Sequence, residues 1–447
     1  MSSRSPRAAG TSRYRWWILT ILFIATFTNY LDRATLSVVG PTLQEEFGIS
    51  DVQYGWLSSA FVWGIVVVIL FFGLLMQRYG ERLVGGLGLA GFSLATLLSA
   101  CTGGFASLMA ARITLGVFEA PTFPMNATLV RRWFPRRERA KAVSVYQLGA
   151  TCGTAFGIPI LGLIAYAWGW RACFVCAGLF GLLMSVVWSV VVRNRPADSA
   201  RVSAGELELI EQGTDAAGPA YTATRADRRY VLTDRRLLSL YLVTAATSTA
   251  FFFFMTWLPK YMRDTMSIDV TGGLSGGIKG TVPYVFALGG IVFGGWLSDH
   301  LLGRGVRPGI ARKVPIAIGL VGTVVVFLMP LAESQTLGLG IISVAYFSAS
   351  LANCAWVLPA EVARKEVAAL ANSTYGFFTN LFGALSPVVA GYLVSSLGYN
   401  AMLAYIGVWA LIGLFAITVL LDDVAPTPRP GDTLPAAEPA APGAAAR

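Results

Sequence analysis

Long apolar runs, each closed by a short cluster of charged or turn-forming residues, follow one another from about residue 16 to residue 421. A helix that crosses a membrane needs about 20 mostly apolar residues. Twelve runs have that length, near 16–39, 52–75, 83–102, 105–130, 142–166, 170–192, 237–260, 274–298, 314–331, 336–360, 368–395 and 400–421. The pattern predicts an all-α membrane protein with twelve spans. The first run follows Arg4, Arg7, Arg13 and Arg15, as the core of a leader peptide would. It is too long for one, contains Asp32 and Arg33, and lacks a small-residue cleavage site, so it reads as an uncleaved span.

The breaks are unequal. Residues 193–236 form one long polar stretch that divides the spans six and six, and Gly205-Glu-Leu-Glu-Leu-Ile-Glu211 within it has the spacing of a short amphipathic helix. The expected organisation is an N-terminal segment 1–15, a six-helix half 16–192, a central loop 193–236, a second six-helix half 237–421 and a tail 422–447. The tail is rich in Pro and Ala and is expected to be disordered. The halves echo each other: Gly73-Leu-Leu-Met-Gln-Arg78-Tyr-Gly-Glu-Arg82 follows span two, and Gly295-Trp-Leu-Ser-Asp299-His-Leu-Leu-Gly-Arg304 follows span eight. Two parallel six-span halves resemble the major facilitator architecture, in which substrate binds near the midplane between them.

Composition narrows the function. Only 13% of the residues are charged, against about 25% in soluble domains. If the N-terminus is cytoplasmic, just Arg171, Lys260 and Arg263 of the 34 Lys and Arg fall on the opposite side, while Arg33, Arg112 and Lys279 lie inside spans. Such a bias predicts cytoplasmic termini. The formal charge of +10 then reflects orientation and contact with anionic lipid, and no nucleic-acid partner is expected. The pair Cys173 and Cys176 has CxxC spacing without redox or zinc-site context. With His300 as the only histidine, no metal site and no His-based catalytic set is expected. No ATP-binding motif is present, and no loop offers a catalytic constellation or a receptor domain. The chain is therefore expected not to be an enzyme.

The few charges inside spans are conspicuous, because each costs ~2.5–3.5 kcal/mol on insertion. Lys279 and Glu361 lie near span ends and can reach the polar edge. Asp32, Arg33, Arg112 and Glu119 cannot. Arg112 and Glu119 are seven apart, nearly on one helical face. Helical rise puts Asp32 and Arg33 ~24–26 Å, Arg112 ~28 Å and Glu119 ~18 Å from the cytoplasmic side, a slab ~10 Å deep. If spans one and four face a common cavity, the four form one network. Buried ion pairs add little stability, so a functional role is favoured. A guanidinium binds a carboxylate through paired hydrogen bonds. An anion that captures an arginine frees the carboxylate it was paired with, and that carboxylate can then take a proton. Two arginines with two carboxylates therefore suit proton-coupled anion transport.

At this point the residues resemble a known group. Asn29-Tyr-Leu-Asp-Arg-Ala-Thr-Leu-Ser37 is similar to the first-span signature of the anion:cation symporter family of the major facilitator superfamily, which includes bacterial galactonate, glucarate and hexuronate transporters. Arg112-Ile-Thr-Leu-Gly-Val-Phe-Glu-Ala-Pro-Thr-Phe-Pro124, Trp133-Phe-Pro-Arg-Arg-Glu-Arg139, Thr256-Trp-Leu-Pro-Lys-Tyr261, Gly294-Gly-Trp-Leu-Ser-Asp299, Ala311-Arg-Lys-Val-Pro315 and Gly391-Tyr392 continue the likeness over about residues 15–421. The resemblance implies symport of a small organic anion with protons, the proton being the only coupling agent and no cofactor being required. It implies that Arg33 contacts the substrate carboxylate, that Asp32 and Glu119 are the protonatable pair, and that Arg112 tunes them. Asn353, Trp356 and Asn380 fall at the positions expected to complete the substrate site. Gly73 and Arg78, with Gly295 and Asp299, fall in the gating motifs. A monomer in a bacterial inner membrane is the expected setting.

The sequence departs from that pattern. Ile65 stands where a tyrosine is expected and Ala150 where a glutamine is, which removes hydrogen-bonding groups from a sugar-acid pocket and points to a less hydroxylated, aromatic or dicarboxylic acid. Gln77 replaces the usual acid of the first gating motif. Gly149, Gly153 and Gly157, followed by Pro159, faintly resemble a drug-exporter motif, so an exporter or facilitator of small organic molecules is the alternative.

Overall fold

The computed structural model describes residues 12–212, 224–422 and 424. Residues 1–11 of the expected N-terminal segment, 213–223 of the central loop, and 423 and 425–447 of the tail with its expected disorder lie outside the described residues. Among the described residues the regular structure is helical, with no strand.

Six helices make the first half: α1 (Tyr14–Phe47), α2 (Asp51–Ser99), α3 (Phe105–Glu119), α4 (Thr122–Trp133), α5 (Arg136–Trp168) and α6 (Trp170–Val191). The central loop carries α7 (Ala204–Gln212) and α8 (Arg225–Thr233). The second half contains α9 (Arg235–Thr256), α10 (Leu258–Met266), α11 (Gly273–Gly303), α12 (Pro308–Thr323), α13 (Gln335–Leu351), α14 (Leu358–Val362), α15 (Ala368–Leu397) and α16 (Tyr399–Phe415). Among the described residues ten segments are long and apolar enough to cross a membrane by themselves, two of them within α2. The remaining two of the twelve spans are α1 and the interrupted pair α3–α4, which between them carry Asp32, Arg33, Arg112 and Glu119.

The interruptions are where the structure departs from the apolar pattern. The run 105–130 is not one helix: α3 stops at Glu119 and α4 starts at Thr122, with Pro121 between them. Proline has no N–H to continue the ladder and crowds the turn before it. In the second half the run 336–360 breaks similarly, since α13 ends at Leu351 and the chain tightens into a 3₁₀ segment, Ala352–Val357, before α14. The seventh run is interrupted at Trp257, where α9 ends at Thr256 and α10 begins at Leu258 with Pro259 in its first turn. In α2, Gly80 has φ 80° and ψ 162° and separates the two spans, in the region of backbone space that glycine alone occupies freely.

Small residues set the closest helix contacts. A Cβ at Gly149 or Gly153 of α5 would lie 2.5 Å from the Phe23 or Phe27 carbonyl oxygen of α1, so the two backbones touch there as the glycine spacing predicts. The two halves join at the end of the bundle remote from the chain termini. There the Tyr54 hydroxyl donates to the Thr256 carbonyl (2.8 Å) and the Ser37 hydroxyl to the Met255 carbonyl (2.6 Å). Arg263 pairs with Glu45 at 2.8 Å and Lys260 with Asp51 at 3.4 Å. Nearer the termini, the second half leaves Trp356 48% exposed and Phe377 52% exposed.

At the terminal end the central loop closes onto α1. The fully buried Glu206 of α7 accepts the backbone N–H groups of Tyr14 (3.0 Å) and Arg15 (3.1 Å), two of the first-turn donors that have no partner within their own helix. Its carboxylate also pairs with the Arg15 guanidinium at 3.0 Å, and Ser12 and Ser203 exchange hydrogen bonds beside it.

Candidate functional site

Asp32 and Arg33 project from α1, Arg112 and Glu119 from α3, and all four are buried, Arg112 to 1% exposure. They pair crosswise between the helices. Arg33 Nε donates to Glu119 Oε1 at 2.7 Å, and Arg33 Nη2 meets the same oxygen. Arg112 Nη1 lies 3.6 Å from Asp32 Oδ2, an ion pair too long for a hydrogen bond. Arg112 Nε and Nη2 are buried without hydrogen-bond partners. Asp32 is held by Thr96 of α2, whose hydroxyl donates to Asp32 Oδ1 at 2.6 Å. Asn29 stands buried beside Glu119.

The Arg33 guanidinium packs against two aromatic rings, with its central carbon 4.6 Å from the Tyr30 centroid and 4.7 Å from that of Phe61. Phe61 in turn stacks on Phe252 of the second half at 6.5 Å, and Phe123 meets Tyr30 edge-on at 6.4 Å. Rings packed against a cation hold it electrostatically and exclude water. They leave the edge of the guanidinium for hydrogen bonding, and at least two of its nitrogens are directed at Glu119. Ile65 is buried and Ala150 half-buried, so apolar groups stand at both positions where hydrogen-bonding side chains were expected.

The second half offers a different chemistry. Asn353 and Trp356 lie in the 3₁₀ segment, and the Trp356 ring meets Tyr375 edge-on at 5.2 Å. Asn380 of α15 donates to the Gly376 carbonyl of its own helix (2.9 Å). Among the described residues no hydrogen bond, ion pair or ring contact joins these three to the four charges. The breaks in α3–α4 and α13–α14 fall at Glu119 and at Asn353 and Trp356, so both halves interrupt a helix at the residues singled out for function. Interrupted helices at the midplane are a recurrent way of building transporter sites.

The two gating motifs are held differently. Gly73 lies in α2, and Arg78 is exposed with its guanidinium 5.4 Å from the Tyr79 ring. Gln77 is exposed, and the acid that ties this loop is instead the buried Glu81, paired with Arg132 at 2.7 Å. In the second motif Gly295 faces open space and Asp299 lies 4.0 Å from Arg312. Arg312 also pairs with Glu361 at 3.3 Å. Lys279 reaches Gln335 at 2.8 Å, in keeping with its place near a span end.

Sequence reasoning missed Thr96, Tyr30, Phe61, Phe252 and Glu81. A lone threonine in an apolar run carries no mark of its partner. Tyr30 did carry a signal: it precedes Arg33 by three residues, which puts both on one face of α1.

Comparison with known proteins gives the family. A family model described as Major Facilitator Superfamily matches residues 22–358. The chain is 32% identical over 424 residues to a D-galactonate transporter of Escherichia coli O6:H1, covering 93% of this chain and 98% of that one. It is 30% identical over 437 residues to a probable galactarate/D-glucarate transporter, GudP, of Bacillus subtilis, covering 95% of each. Among solved structures, the D-xylose-proton symporter superposes with a TM-score of 0.71 at 15% identity, covering 92% of this chain and 98% of that one, a likeness of fold.

Proposed function

The chain belongs to the Major Facilitator Superfamily, whose matched relatives are membrane transporters and not enzymes, and on that premise we propose that it imports a small organic anion together with protons by alternating access. The observation that carries the proposal is the crossed, buried network in which Arg33 is paired with Glu119 and Arg112 with Asp32. Arg33 presents a planar cation, packed against Tyr30 and Phe61, that suits a carboxylate. A substrate carboxylate that takes Arg33 displaces Glu119. The displaced carboxylate, buried and without its counter-charge, takes up a proton. Asp32 and Arg112 form the second pair of the same relay. Asn353, Trp356 and Asn380 close on the substrate from the other half.

Relatives named for galactonate and galactarate/glucarate support a sugar-acid-like anion. Ile65, Ala150 and the aromatic group of Tyr30, Phe61 and Phe252 favour a member of that class with fewer hydroxyls, or an aromatic acid, because an apolar wall gives a hydroxyl no partner. The distribution of Lys and Arg supports cytoplasmic termini in a bacterial inner membrane. With the halves joined at the remote end, the conformation is then inward-facing. The protein is proposed to work as a monomer.

A thermal-shift screen of purified protein against carboxylic acids, followed by transport in proteoliposomes, tests this. Acids should raise the melting midpoint of the native protein and fail to do so in Arg33→Ala. Glu119→Gln should retain counterflow while losing accumulation driven by a pH gradient. Stabilisation by lipophilic cations alone, or pH-driven accumulation intact in Glu119→Gln, overturns the proposal.

A further inference from the structure

The tight crossing of α1 and α5 has a consequence at its terminal end. Between the crossing at Gly149 and the terminal edge of the bundle, the two helices leave a groove of about 500 Å³ lined by Arg13, Trp16, Trp17, Thr20 and Lys141. Its charged groups are basic, and its walls are largely aromatic. Lys141 Nζ lies 5.4 Å from the Trp16 ring, which is itself fixed edge-on against Phe134 at 5.7 Å. Trp17 is 66% exposed on the outer wall.

The two cations in the groove are available. Arg15, the neighbouring base, is taken by Glu138 and Glu206, each at 3.0 Å. Among the described residues neither Arg13 nor Lys141 has a carboxylate partner. Two unpaired bases over an indole floor, next to an exposed tryptophan at the start of a span, match a site at a membrane surface. Tryptophan concentrates at that depth, and the cytoplasmic leaflet supplies anionic headgroups.

We propose that this groove binds one anionic phospholipid, its headgroup phosphate between Arg13 and Lys141 and its acyl chains along Trp17 and Thr20. The proposal rests on the cytoplasmic placement of the termini and is independent of which anion is transported. A soluble phosphate ester shares the headgroup chemistry but has no chains to lie on the apolar wall. Charge complementarity together with the Trp17 and Thr20 face therefore selects the lipid.

The test is native mass spectrometry of the full-length protein released from mixed micelles of phosphatidylglycerol and phosphatidylcholine, with melting midpoints checked in parallel. The unmodified protein should retain one phosphatidylglycerol selectively. Arg13→Gln/Lys141→Gln should weaken that retention about ten- to thirtyfold, the effect of two bases at a charged surface. Arg304→Gln/Arg307→Gln, which removes the same charge elsewhere on that side, should leave retention unchanged. Trp17→Ala should weaken retention without loss of preference for the anionic lipid. Equal losses in the two double variants, unaltered retention in Arg13→Gln/Lys141→Gln, or displacement by glycerol 3-phosphate at concentrations comparable with the lipid overturns the proposal.

Discussion

Arg112 is among the most deeply buried large side chains of the protein, and two of its nitrogens have no hydrogen bond. Among the described residues Asp32 is its one ion-pair partner. Asp32→Asn keeps the shape and the Thr96 contact but removes that ion pair from a buried charge, which should cost about 3–5 kcal/mol. A matching fall in the melting midpoint, largely reversed in Asp32→Asn/Arg112→Met, checks this. Thr96→Val should cost less, about 1.5–3 kcal/mol, because it removes one hydrogen bond to a carboxylate. The four charged residues were legible in the sequence because so few charges interrupt the spans. Their partners were not. Arg112 and Glu119 share a face, yet seven residues separate them by about 10 Å along the helix, too far for a direct bond, so each turns to the adjacent residues of α1. Which base meets which acid depends on how two helices cross, and spacing within one helix does not record that.

Hydropathy marked the location and number of the spans but not their continuity. Pro41, Pro159, Pro283 and Pro387 sit inside unbroken helices, whereas α3 and α4 part at Pro121. A proline in an apolar run thus does not say whether neighbouring helices will hold the chain together or let it break. Glycines are similarly mixed. A Cβ at Gly116 of α3 would come 2.0 Å from the Phe61 carbonyl oxygen, while one at Gly295 of α11 meets nothing within 4 Å. Gly116→Ala should therefore force α2 and α3 apart and cost about 1–3 kcal/mol. Gly295→Ala should be neutral or stabilise by up to about 1 kcal/mol through backbone entropy. Thermal denaturation of the two variants side by side separates a packing glycine from a solvent- or lipid-facing one.

For the molecule as a whole, the remote end is fastened by opposite charges. The first half contributes Glu45 and Asp51, and the second contributes Arg263 and Lys260. Such pairs are worth about 0.2–1 kcal/mol each and weaken with salt. Arg263→Glu should therefore raise the population open at that end about two- to fivefold. Adding Glu45→Arg should restore it. The rate at which a membrane-impermeant maleimide labels Ser37→Cys in a cysteine-free background reports the change, and equal labelling in all three proteins argues against a charge latch. The paired halves and their motifs were visible in the sequence; the latch was not, because its partners lie more than two hundred residues apart.

The docking of α7 onto α1 also orders events in time. Glu206 stands 192 residues beyond the Tyr14 N–H it accepts. A ribosome needs on the order of ten to forty seconds to make that length of chain. Until then the opening turn of α1 has no cap, although the rest of the first half has already been synthesised. The protein's first helix is thus finished at its start only after its sixth has been made, and a nascent chain stalled before Glu206 should expose residues 12–15 to proteolysis that the completed chain resists.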